Sequence, residues 1–240
     1  MAAVSASSSA AAKPDYGLES RVTVRRMFGR GAWTLAFGIT MFLINRTDYP
    51  GPAAHILIAL GLIGLAFVAV GLVMVRSSRV ARFEARDRIL DALALKGDER
   101  VLDVGSGTGL MLIGVAKRLK SGRVTGLDLS GEADIAKENA KLEGVGDKVT
   151  RIDVCETPKF VYPDNNYDVV VSALALRNAG EIDVREQLVR EMLRVLKPGG
   201  RLAIYDVLRT GEYAATLRAA GAQDVELSPL SWARTVTARK

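Results

Sequence analysis

The sequence predicts an α/β protein: a doubly wound, mostly parallel seven-stranded sheet preceded by a two-helix membrane hairpin. Three observations predict it. Two apolar runs occupy residues 31–44 and 53–75. From residue 100 onward, short apolar runs alternate with amphipathic stretches, the pattern of strands covered on both faces by helices. The first of those runs, Val101-Leu102-Asp103-Val104, leads into Gly105-Ser106-Gly107-Thr108-Gly109, a strand, a glycine turn and the start of a helix. With 240 residues there is room for one such domain and an extra segment.

The reading divides the chain into residues 1–30, a disordered or basic N-terminal segment, residues 31–75, the hairpin, and residues 76–240, the domain. Residues 1–14 are rich in alanine and serine and predict disorder. Residues 53–75 carry one polar side chain, His55, and are long enough to cross roughly 30 Å of hydrocarbon. Residues 31–44 are shorter and need their flanks to span. Neither run has the polar face of a helix packed on a soluble domain. Between them, residues 45–52 hold two prolines and a glycine that predict a turn stopping both helices. Arg21, Arg25, Arg26 and Arg30 stand before the first run, and Arg76, Arg79, Arg82, Arg86 and Arg88 after the second. Both termini and the domain are therefore expected on the cytoplasmic side of an integral membrane protein. The net charge of +6 is accounted for by these flanks, so nucleic acid is not an expected partner. One cysteine, Cys155, excludes an internal disulfide and a thiolate metal cluster.

After the hairpin, residues 78–95 read as an amphipathic helix closed by Gly97. Strands are predicted at residues 100–104, 123–129, 149–154, 167–176 and 201–206, and two short ones near 224–228 and 234–238. Helices are predicted at 110–119, 132–142, 184–196 and 212–219, the third ended by Lys197-Pro198-Gly199-Gly200. Ligands of such sheets bind at the carboxyl ends of the strands.

Two cofactors use a glycine turn with an acid about 20 residues further on. The dinucleotide fingerprint G-x-G-x-x-G is not met, because the spacing here is G-x-G-x-G and Leu110 stands where the third glycine belongs. Asp103 would sit close to a pyrophosphate and repel it, whereas it would attract an ammonium. S-adenosylmethionine (SAM) carries an ammonium, a carboxylate, a sulfonium and a ribose diol but no phosphate. Asp128, ending the second strand, is placed to accept its ribose hydroxyls.

Residues 101–109, Gly126-Leu127-Asp128-Leu129, residues 162–170 and residues 193–202 together resemble class I SAM-dependent methyltransferases of the methyltransferase-11 type. The resemblance covers residues 80–238 and implies a Rossmann-like methyltransferase sheet. It implies that Asp103, Gly105, Gly107 and Gly109 hold the methionine end and Asp128 the ribose, with Ser106, Leu129 and Leu174 also binding cofactor. The family's acid facing adenine falls at Glu156, preceded here by Cys155, with Asp153 as a competing assignment. Strand four ends in Ala175-Leu176-Arg177-Asn178, where the family brings cofactor and acceptor together, so Arg177 and Asn178 are the candidate catalytic residues. This stretch is also similar to the ubiquinone and menaquinone C-methyltransferases. Asp15-Tyr16-Gly17-Leu18 ahead of the hairpin is similar to bacterial methyltransferases with an N-terminal membrane hairpin.

Methyl transfer from a sulfonium is an in-line displacement that needs alignment and exclusion of water. A base is needed only where the acceptor must lose a proton, and Arg177 is suited to an acceptor oxyanion. The expected partners are the bilayer and a small methyl acceptor of the lipid, quinone or sterol-like kind. A catalytically silent scaffold of the same fold is the alternative, and a nicotinamide-dependent oxidoreductase is disfavoured by Leu110 and Asp103.

Overall fold

Side chains alternate across β1 (Arg100–Val104), so Val101 faces one helical layer while Leu102 and Val104 face the other, all three fully buried. The same alternation runs through the parallel strands β2 (Arg123–Asp128), β3 (Val149–Val154), β4 (Tyr167–Ala173) and β5 (Leu196–Asp206). The strand order is β3-β2-β1-β4-β5-β7-β6, with β6 (Gln223–Leu227) and β7 (Arg234–Arg239) joining antiparallel. This is the seven-stranded doubly wound sheet expected from the sequence. The computed structural model describes residues 13–16, 21–76, 80–229 and 233–240, so residues 1–12 of the expected disordered tail lie outside the described residues.

Helices α3 (Arg82–Ala92), α4 (Leu110–Arg118) and α5 (Ala133–Leu142) cover one face of the sheet, α3 through Ile89 and Leu90. Helices α6 (Ile182–Val195) and α7 (Thr210–Ala219) cover the other through Leu188, Val189, Met192, Tyr213 and Leu217. Strand β4 stops at Ala173, short of the expected residue 176, and two further boundaries differ more. The helix predicted over 78–95 is shorter, and β5 begins at Leu196, so the Lys-Pro-Gly-Gly stretch read as a helix stop is absorbed into a strand. Leu196 pairs with Tyr167 across a register shift, which lets the glycines continue the strand.

Residues Gly17–Glu84 form a separate compact unit. Its two helices are α1 (Arg21–Asn45) and α2 (Pro50–Arg76). The first starts ten residues before the apolar run, so Arg21 to Arg30 lie within the helix and not in the disordered segment assigned to 1–30. Its 25 residues extend roughly 38 Å at 1.5 Å per residue. Pro50 and Pro52 open α2 where they were expected to stop helices, because a first-turn proline lacks only an N–H that would have no helical partner. The helices meet at glycines: a Cβ on Gly64 would lie 2.8 Å from Leu35 and 3.1 Å from the Gly31 carbonyl, and one on Gly71 3.1 Å from Phe28. Both helices are long and apolar enough to cross a membrane, and only 11% of either apolar window is buried. Trp33, Phe37, Ile58, Leu62, Leu65 and Val73 are among the large side chains that they expose.

Candidate functional site

The strand order reverses at β1, whose neighbours β2 and β4 lead to helices on opposite sides of the sheet, and this opens a crevice at the carboxyl ends of the strands. The glycine turn fills one wall of it. Gly105 has φ +79°, and its N–H and that of Ser106 both donate to the Leu127 carbonyl, at 2.6 and 3.1 Å. A Cβ on Gly105 would lie 2.0 Å from the Ala175 Cβ beyond β4 and 3.5 Å from Leu129. Gly107 and Gly109 have φ of +48° and +90°, and Gly109 is the N-cap of α4. The turn is thus possible only with glycines, and the chain can approach a ligand there without side chains intervening.

Asp103 points from β1 into the layer of α4 and is fully buried, yet neither of its carboxylate oxygens has a hydrogen-bond partner among the described residues. The same holds for Ser106 Oγ. Burial pushes the Asp103 carboxyl up to about 7; the Leu112 backbone N–H pulls the other way without reaching hydrogen-bond geometry. A buried carboxyl left without partners is costly, which marks a group poised for a ligand cation. The ammonium of SAM fits it, as the bare glycine turn fits the methionine end.

Asp128 ends β2 as expected and is fully buried. Its Oδ1 accepts from the Ser130 N–H and hydroxyl at 2.9 and 2.8 Å, and its Oδ2 from the Ala133 N–H at 2.9 Å. It therefore also ties the turn into α5. We expect Asp128→Ala to cost about 2–3 kcal/mol in a denaturant titration, because one buried and one part-buried backbone donor lose a charged acceptor. Glu132, which the sequence reading passed over, has Oε2 placed 3.3 Å from a Cβ built on Gly107 and accepts from Ser130 Oγ at 3.1 Å. Its only sequence signal is its place just ahead of α5. With Asp128 it sets acidic side chains beside the glycine turn, joined by Asp103 once ionised, and such a group attracts an ammonium or sulfonium and repels a pyrophosphate.

Of the two candidate acids for adenine, Asp153 lies within β3 and is engaged, accepting from Tyr162 Oη at 2.8 Å and pairing with Arg151 at 2.8 Å. Glu156 is exposed beyond the carboxyl end of β3. Leu174 follows β4 with φ +59°, a backbone conformation that costs a leucine energy and clusters at functional sites. Arg177 lies in the 3-10 turn Leu176–Asn178, 3.9 Å from Asp206 at the end of β5. Asp206 is 1% exposed, and burial raises its carboxyl despite the Val207 N–H, Arg177 and Tyr213. Asn178 is exposed. The crevice thus brings together Asp103, the glycines, Leu129, Leu174 and Arg177, while Glu156 and Asn178 stand in solvent at its rim. An open groove of about 630 Å³ lies at the opposite end of the sheet, and two ion pairs line it, Lys197 with Asp168 at 2.6 Å and Arg201 with Glu99 at 2.7 Å.

Residues 102–204 match the family model Methyltransf_11, methyltransferase domain. Methyltransferase GfsG of Streptomyces halstedii is 31% identical over 126 residues, 52% of this chain and 44% of that protein. The ubiquinone/menaquinone biosynthesis C-methyltransferase UbiE of Geotalea daltonii is 34% identical over 110 residues, 45% of each chain. This chain therefore spans less than half the length of these relatives. Among solved structures, a SAM-dependent methyltransferase from Aquifex aeolicus superimposes with a TM-score of 0.55 at 25% identity, covering 64% of this chain and 88% of that one.

Proposed function

We propose, from the match of residues 102–204 to the methyltransferase domain model and from the likeness to a SAM-dependent methyltransferase, that this protein is a membrane-anchored methyltransferase acting on a small lipophilic acceptor at the cytoplasmic face. The observation that carries the acceptor class is the rim of the crevice. Val154 is the last residue of β3, and Ile135, Val161, Ile182 and Leu208 lie in the turns or helix starts that follow β2 to β5; each of the five is 44–78% exposed. Of the large apolar side chains exposed from β1 onward among the described residues, only Leu142 lies elsewhere. A polar acceptor gives no reason to collect them there. A lipid, a prenyl quinone or a sterol-like molecule does, and the matched UbiE acts in ubiquinone and menaquinone biosynthesis.

SAM supplies an electrophilic methyl group on a good leaving group. The chain's own work is binding and alignment. Asp103 in its ionised form holds the ammonium, the glycine turn takes the methionine end, Asp128 is offered to the ribose and Glu156 to adenine. Leu129 and Leu174 cover the cofactor and exclude water. Arg177, its charge partly balanced by Asp206, faces the acceptor side and stabilises a phenolate or enolate oxygen as the nucleophile develops. Asn178 offers an exposed amide at the same turn.

Anchoring is supported by the two poorly buried apolar helices and by the arginines at both outer flanks, against one Arg and one Asp in the loop between. The segments on either side of the hairpin both belong to the sheet domain, which favours a common membrane face for them. The test is calorimetry of SAM and of NAD on the detergent-solubilised full chain, followed by transfer of labelled methyl from SAM to lipid extracts. Micromolar SAM binding, no NAD binding and label in an apolar product are expected. A folded protein that binds SAM but labels only water-soluble acceptors would overturn the lipophilic reading. One that binds neither cofactor would make it a silent scaffold.

A further inference from the structure

Asp15 and Tyr16, which precede the hairpin, pack on the sheet domain beside the glycine turn. The link is Asn139, an amide inside α5 that is 2% exposed. Asparagine is a poor helix former and is rarely buried, so a buried one has a polar task. Here its amide is used in full. Oδ1 accepts from the Asp15 N–H at 2.8 Å, and Nδ2 donates to the Asp15 carbonyl and to the Thr108 carbonyl, both at 2.9 Å. Thr108 is the residue between Gly107 and Gly109. Its hydroxyl donates to the Tyr16 carbonyl at 3.4 Å. Tyr16 is fixed in turn: its phenol donates to Glu143 at 2.8 Å, and Lys117 holds the other oxygen of Glu143 at 2.6 Å.

Thr108 is therefore gripped through both its carbonyl and its hydroxyl, by an amide and by a segment 92 residues away. It needs that grip. The residues on either side have positive φ; the Leu127 carbonyl holds the start of the turn at Gly105 and Ser106, and the Gly109 N–H closes it on the Ser106 carbonyl at 2.8 Å. A turn of this kind loses much conformational freedom on binding unless something has already ordered it.

We propose that Asp15, Tyr16 and Asn139 are positioning residues for the cofactor: the chain ahead of the membrane hairpin clasps the glycine turn in its binding conformation. The inference rests on the reading of that turn as the site for the methionine end of SAM. It places cofactor affinity under the control of a segment outside the matched family domain, joined directly to the anchor.

Two variants break the clasp from opposite sides. Asn139→Ala removes the amide, and Asp15→Pro removes the one N–H that Asn139 accepts while leaving the domain's interior intact. Both are measured as full-length protein in detergent, by calorimetry with SAM and with methylthioadenosine, which lacks the amino-acid end. Each single variant is expected to weaken SAM about tenfold while methylthioadenosine binds as to wild type. The double variant is expected to lose no more than Asn139→Ala alone, because the bond that Asp15→Pro removes is one of those that Asn139→Ala already removes. Unchanged SAM affinity in folded Asp15→Pro protein would overturn the proposal, as would equal weakening of both ligands, which is general loosening of the domain. Additive losses would also count against it. Should Asn139→Ala not fold, the Asp15→Pro result decides alone. Wild-type protein that binds neither ligand would instead overturn the cofactor reading on which the proposal stands.

Discussion

Asp103→Asn is expected to abolish SAM binding, lowering affinity at least a hundredfold, and at the same time to make the cofactor-free protein more stable. The two effects have one cause. Asp103 is buried without a hydrogen-bond partner among the described residues, so the folded protein holds its proton up to about pH 7, whereas the unfolded chain releases it near the usual aspartate value. Between those values the folded state binds more protons than the unfolded one. Stability of the cofactor-free protein therefore falls as pH rises from about 4 to 7 and levels off above. The loss amounts to as much as about 4 kcal/mol, taking about 1.4 kcal/mol for each unit. Asparagine removes the charge but leaves a buried amide that itself costs roughly 1–3 kcal/mol. The net gain at pH 8 is about 2 kcal/mol, read as a higher midpoint in denaturant with unchanged slope. SAM binding must expel the proton, so wild-type affinity should drop about tenfold per unit below pH 7, and calorimetry in buffers of different ionisation enthalpy should detect the released proton. A variant no more stable than wild type at pH 8 would show that the carboxyl finds partners in solution.

Gly105→Ala is expected to be the most damaging single methyl group in the domain. Its backbone has φ +79° and the added Cβ would lie 2.0 Å from that of Ala175, a separation no packing tolerates. The turns after β1 and β4 must part, at a cost of about 3–5 kcal/mol combining overpacking with left-handed strain. Gly199→Ala separates the two contributions: φ is +75°, but nothing lies within 4 Å of the new Cβ. It should cost about 1–2 kcal/mol from strain alone. Thermal melts of the two variants, with SAM titrations of whichever folds, give the difference. Equal destabilisation would mean that the crevice floor is not the close contact described.

The glycine turn, the acids at the ends of β1 and β2 and the succession of strands were legible because each has a local cause. Apolar runs bury strands, and positive φ demands glycine. What escaped depends on partners distant in sequence. No pattern in residues 21–30 marks a helix, since five of these ten residues are arginine or glycine; they become helical as the continuation of α1. Lys197-Pro198-Gly199-Gly200 reads as a breaker, and only its pairing beside β4 turns it into the start of a strand. That Asp153 is engaged by Tyr162 depends on the loop after β3 folding back on that strand, which neither residue announces. Glu132 and Asn139 look like ordinary helix polars, and their importance lies in what α5 sets them against.

The bond between Asp15 and Asn139 also has a history in time. Residue 15 leaves the ribosome before either apolar helix and 124 residues ahead of its partner. Throughout synthesis of the hairpin and of the first two strands it has nothing to bind. The sheet can begin to form as β1, β2 and α5 emerge, but the clasp closes only when the chain has gone out along α1, returned along α2 and brought Ala85 back to the domain. If α1 and α2 enter a membrane as proposed, their insertion comes before completion of the cofactor site, and a misrouted hairpin would leave Asp15 away from Asn139.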